Sequence, residues 1–81
     1  QDDVTISYQL LNSERVSLSI YTMMGQKIRD LCSRTEPAGV KSYTWNGRSD
    51  EGGLVSTGLY MYKLSIGSVE YCGKIMLDRK N

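Results

Sequence analysis

Apolar residues recur at every second position through most of this chain, and that period admits few folds. Val4, Ile6, Tyr8 and Leu10 alternate with Thr5, Ser7 and Gln9; Val16, Leu18 and Ile20 alternate with Ser17 and Ser19. Successive side chains of an extended chain point to opposite faces, so strict alternation makes a strand with one face buried and one wet. Asn12-Ser13-Glu14 reads as a turn, and the two runs it joins are predicted to pair as antiparallel neighbours. Between Gly25 and Pro37 the alternation breaks. Ile28 and Leu31 lie three apart, a spacing that a helix or a bulged strand would satisfy, and the short window favours the strand.

The remaining pattern is regular. Pro37-Ala38-Gly39 is a loop, because proline lacks a donor and glycine tolerates positive φ. Val40 to Asn46 follows as a strand with Tyr43 and Trp45 on one face, and Asn46-Gly47 opens a turn-rich stretch that runs to Gly53. Leu59 to Ile66 places Tyr60, Tyr62, Leu64 and Ile66 together. Gly67-Ser68 suits a tight hairpin turn, and Val69 to Leu77 puts Val69, Tyr71, Ile75 and Leu77 on one face. Counting a brief strand at Leu54-Val55, the chain is predicted to be all-β: an immunoglobulin-like β-sandwich of about seven antiparallel strands, one domain over residues 1–81.

Charge and composition narrow the function. Ten basic residues against nine acidic ones leave a formal net charge of +1, without the basic excess of a nucleic-acid binder. Histidine is absent, which removes His-based triads, His zinc sites and the usual pH switch. No apolar stretch approaches the ~20 residues of a membrane-spanning helix. The sequence begins at Gln1 and is read as a processed protein or a fragment. With 81 residues, the chain buries only roughly 60% of its unfolded surface, which suits a binding or structural module better than a deep catalytic pocket.

The chemistry-bearing residues support that expectation. Serine and cysteine nucleophiles have no evident base, and Asp50-Glu51 falls in a turn where both carboxylates are solvated, so no enzyme activity and no cofactor are expected. Asn46, Asp50 and Glu51 among glycines loosely suggest a calcium loop, but Arg48 stands where an acceptor oxygen is needed, so no metal is expected. Cys32 and Cys72 fall in the third and last strands, about two strand spacings of ~4.8 Å apart if those strands flank a common neighbour. That favours two unpaired thiols over an internal bridge, with an intermolecular bridge still open. Tyr8, Tyr43, Trp45, Tyr60, Tyr62 and Tyr71 all fall on inferred inward faces, which favours a core role over a sugar-binding platform. Arg79 and Lys80 sit in a charged tail.

Several motifs carry a resemblance. Val16-Ser-Leu-Ser-Ile-Tyr-Thr-Met-Met-Gly25-Gln-Lys-Ile-Arg-Asp-Leu31 resembles V-x-L-x-I-Y-D-x-x-G-x-x-V-x-x-L. Ala38-Gly39, Tyr43-Thr-Trp45-Asn-Gly47-Arg-Ser-Asp-Glu-Gly52 and Val55-Ser-Thr-Gly58-Leu-Tyr60-Met-Tyr62 resemble A-G … W-D-G-R-D-x-x-G-x-x-V-x-x-G-x-Y-x-Y. With Thr5-Ile-Ser-Tyr8 and Lys74-Ile-Met-Leu77, these are similar to the Ig-like domain of the flagellar hook-capping family. They are equally similar to the C-terminal sorting domains of proteins exported by the type IX secretion system. Thr22 and Asn46 replace aspartates of the pattern.

The resemblance implies a non-enzymatic, extracellular or cell-surface module. Three roles follow as expectations. The first is a sorting and anchoring domain read by the secretion translocon, recognised through the last hairpin around Gly58, Tyr60, Gly73 and Lys74, with Arg79 and Lys80. The second is a subunit that self-assembles into a filament or other homo-oligomer, using Val4, Ile6, Tyr8 and Leu10 as an edge or donated strand. The third is a hook-capping-type assembly domain. Protein partners are expected in each case, with no nucleic acid and no membrane span.

Overall fold

The computed structural model describes residues 3–78. Six strands follow one another: β1 (Val4–Leu10), β2 (Glu14–Thr22), β3 (Lys27–Glu36), β4 (Gly39–Trp45), β5 (Gly58–Ile66) and β6 (Val69–Leu77). The brief strand expected at Leu54-Val55 is instead an isolated bridge between Leu54 and Arg48. The strands form two antiparallel sheets, β1-β4 and β3-β2-β5-β6. This is an all-β sandwich with an Ig-like arrangement, as the alternation predicted.

One expected pairing is corrected. β1 and β2 are not hairpin partners: β1 pairs with β4, in the register Val4↔Trp45, Ile6↔Tyr43, Tyr8↔Lys41. The link around Asn12 carries the chain from one sheet to the other. Both strands have an apolar face, and setting those faces against each other buries both, which side-by-side pairing would not do. Val16, Leu18, Ile20 and Leu77 are wholly buried, and Trp45 is nearly so. Ile6, Leu10, Cys32, Tyr60, Leu64 and Ile75 complete the core. Trp45 meets Tyr60 edge to face at 5.3 Å between ring centroids, a favoured geometry for two quadrupolar rings.

The segment that breaks the alternation is a bulged strand. β2 and β3 lose register between Leu18, opposite Cys32, and Ser19, opposite Asp30, so Leu31 has no partner. An extra residue turns the following side chains over. Ile28 and Leu31 thus both stay half-buried despite their odd spacing, and Cys32 enters the core.

The β2–β3 turn explains one departure from the family pattern. Thr22 Oγ1 accepts the backbone N–H groups of Met24 (3.2 Å) and Gln26 (3.1 Å), and Gly25 closes the turn at φ 91°, a conformation that costs glycine little. A side-chain oxygen that accepts main-chain N–H groups of its own turn is a role threonine shares with aspartate.

Candidate interaction surface

The turn-rich stretch after β4 is a built loop. Trp45 Nε1 donates to Arg48 O (2.9 Å), Arg48 N–H to Asn46 Oδ1 (3.2 Å) and Arg48 Nη1 to Gly52 O (2.7 Å). Arg29 Nη1 reaches Ser49 O (3.1 Å), and Asp50 Oδ1 accepts the Asp30 N–H (3.2 Å). The W-N-G-R motif therefore ties the loop to the core tryptophan, and Ser49 and Asp50 tie it to β3. The Asn46 and Asp50 oxygens that suggested calcium are bonded to backbone N–H groups. Among the described residues no group of acidic or cysteine side chains is placed to hold a metal ion.

A second polar cluster joins the two sheets. The Glu36 carboxylate is buried at the end of β3. It accepts the Tyr8 hydroxyl at 2.8 Å and the Tyr43 hydroxyl, and Arg34 Nε lies 3.6 Å away. Burial alone would raise the carboxyl pKa, but bonds from Tyr43 and Tyr8 and the charges of Arg34 and Lys41 outweigh it, holding Glu36 below its ordinary value. Tyr8 is pushed up first by burial and then by the carboxylate it faces; Tyr43 is pushed up first by burial, then by Cys32 and the same carboxylate. Sequence reading missed this cluster. Its one signal is that Glu36 shares the β-parity of Cys32 within β3, placing a carboxylate on the inward face.

The expected recognition residues separate in space. Tyr60 is buried, its ring on Trp45 and its hydroxyl donating to Ser56 O at 2.7 Å, so it is core and offers no surface. Gly58 begins β5 at the opposite end of the β5–β6 ladder from the hairpin turn, paired with Leu77. Gly73 and Lys74 lie together in β6; Arg79 and Lys80 fall outside the described residues. Of the β1 set, Ile6 and Leu10 are buried and Val4 and Tyr8 half-buried. β1 is paired with its own β4, and its other edge has no sheet partner among the described residues.

Tyr71 corrects another expectation. It has the inward parity of Ile75 and Leu77, yet it is 51% exposed and Val69 50%. Two strands cannot cover four, so the hairpin end of β6 extends beyond the small sheet. Against this uncovered strip lies a cavity of about 380 Å³, lined by Val4, Thr5, Ile6 and Ser7 of β1 and by Tyr62, Lys74, Ile75 and Met76. A second, of about 300 Å³, continues along Ser7, Tyr8 and Gln9 to Tyr62, Leu64 and Tyr71. At its floor the Tyr62 ring crosses Gly73, whose missing side chain leaves room for it: a Cβ there would sit inside the ring's van der Waals envelope.

The cysteines lie in β3 and β6, the two outer strands of the large sheet, so three strand spacings separate those strands rather than two. At ~4.8 Å each this exceeds the ~7 Å limit for a bridge. Cys32 is buried, Cys72 is exposed, and both are free thiols.

The fold also places the chain among known proteins. It is similar to the crystal structure of FlgD from P. aeruginosa, with a TM-score of 0.63 at 23% sequence identity over 94% of this chain and 61% of that one. The chain thus spans about three-fifths of the length of that structure. No curated protein matches. The family model of the FlgD Ig-like domain matches residues 1–68, which takes in β1 through β5 with the Thr22 turn and the Trp45 loop. On that match, the chain belongs to the FlgD Ig-like domain family.

Proposed function

We propose that this domain is a non-catalytic assembly module of the hook-capping type, acting by protein–protein contact outside the cytoplasmic membrane. The family match over residues 1–68 carries the reading. The polar chemistry agrees with it. Asn46, Asp50, Glu36 and the tyrosine hydroxyls are engaged in holding loops and sheets together, and none converges on a cleft with a nucleophile and a base. The test is a domain exchange: this chain replaces the corresponding domain of P. aeruginosa FlgD, and hooks are counted by electron microscopy. Hook completion is expected. A chimera that is exported and folded yet leaves hooks uncapped would refute the reading.

One observation favours a second role. The family match stops at Ser68, before β6, so the closing strand with Lys74-Ile-Met-Leu77, which resembles the type IX sorting domains as much as the hook-capping pattern, lies outside it. A reporter fused ahead of the chain in a type IX-competent host reaches the cell surface on this reading; retention in the periplasm removes it.

A further inference from the structure

We infer that the slot between the unpaired edges of β1 and β6 accepts an extended peptide strand from a partner protein, one with apolar side chains at alternate positions and an acidic residue opposite Lys74. The inference rests on the reading that the domain works by binding protein, and it supplies the place and the chemistry.

The shape of the slot points to a strand. Consecutive residues line it on both sides, Val4 to Ser7 on β1 and Lys74 to Met76 on β6. Neighbouring strand residues point to opposite faces, so a cavity touching all of them looks onto strand edges and their backbone. β1 is bonded only to β4 and β6 only to β5, which leaves the facing edges without sheet partners among the described residues. Unpaired N–H and C=O groups along a strand edge are the template for strand addition. A third strand in the small sheet, beside β1, would also cover the strip the two-stranded sheet leaves open.

The lining sets the chemistry of the occupant. Tyr62, Leu64, Ile66 and Tyr71 present apolar surface along one side, suited to the inward residues of an alternating strand. Lys74 is the one charged residue lining either cavity, and no carboxylate lines them. An acidic residue on the incoming strand therefore meets a cation, and a basic one meets like charge. Gly73 adds a reason for the missing side chain: it lets the Tyr62 ring lie flat on β6, so that the slot stays open.

The probe is a blocked synthetic peptide, Asp-Val-Thr-Val-Thr-Val-Thr-Val, titrated into the ¹⁵N-labelled chain. Binding is expected to shift and protect β1 amides from Val4 to Gln9 and β6 amides from Tyr71 to Met76. N-methylation of alternate peptide amides should abolish binding on one parity and spare it on the other. Lys74→Glu should weaken binding about three- to fivefold, the effect of one exposed ion pair. A peptide with Lys in place of Asp should restore it; Lys74 is exposed, so the fold is retained. Three results overturn the inference: no binding at millimolar peptide, shifts confined to the outer face of the large sheet around Leu59 and Lys63, or dimerisation that protects the same β1 amides without peptide. Each can occur while the domain exchange still completes hooks, so failure here is distinguishable from failure of the assembly role.

Discussion

Replacing Glu36 with alanine tests whether one buried carboxylate fastens the small sheet to the large one. Glu36 ends β3, while its hydroxyl partners Tyr8 and Tyr43 sit on β1 and β4. A hydrogen bond to a charged acceptor contributes about 1.5–3 kcal/mol. Two such bonds are lost together, while removing the carboxylate also relieves the cost of burying it. Both tyrosines are half-buried, so water reaches part of what they lose. The net destabilisation expected is about 2–4 kcal/mol. That is a large fraction of the roughly 4–12 kcal/mol that an 81-residue domain holds. Urea unfolding followed by the single tryptophan, Trp45, measures it directly. Tyr8→Phe and Tyr43→Phe should each cost about 1–2 kcal/mol, and either combined with Glu36→Ala should cost less than the sum. The pH dependence fixes the charge state. Glu36 is held below its ordinary 4.5 in the fold. Its contribution is therefore fully present above the unfolded value and lost as pH falls through the folded one. The gap between wild type and Glu36→Gln should narrow in that acid window and stay constant above pH 6. A loss below about 0.5 kcal/mol for Glu36→Ala, or a gap independent of pH, would refute the reasoning.

Other outcomes follow from the same geometry. Native protein should label at one thiol, Cys72, and at both thiols after denaturation without reductant, read by intact mass. Gly73→Ala should cost about 1–2 kcal/mol by overpacking against the Tyr62 ring, measured by urea midpoint, and should weaken binding of the probe peptide as the ring swings into the slot. Asp50→Ala should cost about 1 kcal/mol and release the loop from β3, seen as faster hydrogen exchange at the Asp30 amide.

Alternation made the strands legible because each has one dry face, and Val16, Leu18 and Ile20 are the plainest case. The bulge at Leu31 was legible as an odd spacing, though helix and strand both fit until the β2 register decided it. Pairing was not legible. Val4 to Leu10 shows the same period whether it lies beside β2 or across from it, and only the joint burial of both faces selects β4 as its partner. Tyr71 shows the same limit from the other side. Parity says which way a side chain points, while exposure depends on how far the opposite sheet extends. The slot at β1 and β6 had no sequence signature, because an edge is defined by the strand that is missing beside it. Lys74 and Gly73 were picked out by resemblance alone, and the structure places them on that edge.

The pairing of β1 with β4 bears on how the chain reaches its native state. Val4 has to wait for Trp45, forty-odd residues downstream, before its backbone finds a partner. Closing so long a loop is entropically costly, and topologies rich in such distant pairings fold in milliseconds to seconds. The β5–β6 hairpin, joined by a two-residue turn, can zip up far sooner. The opening segment is then the last to settle, and quenching or enhancement of Trp45 emission during refolding times the moment it does.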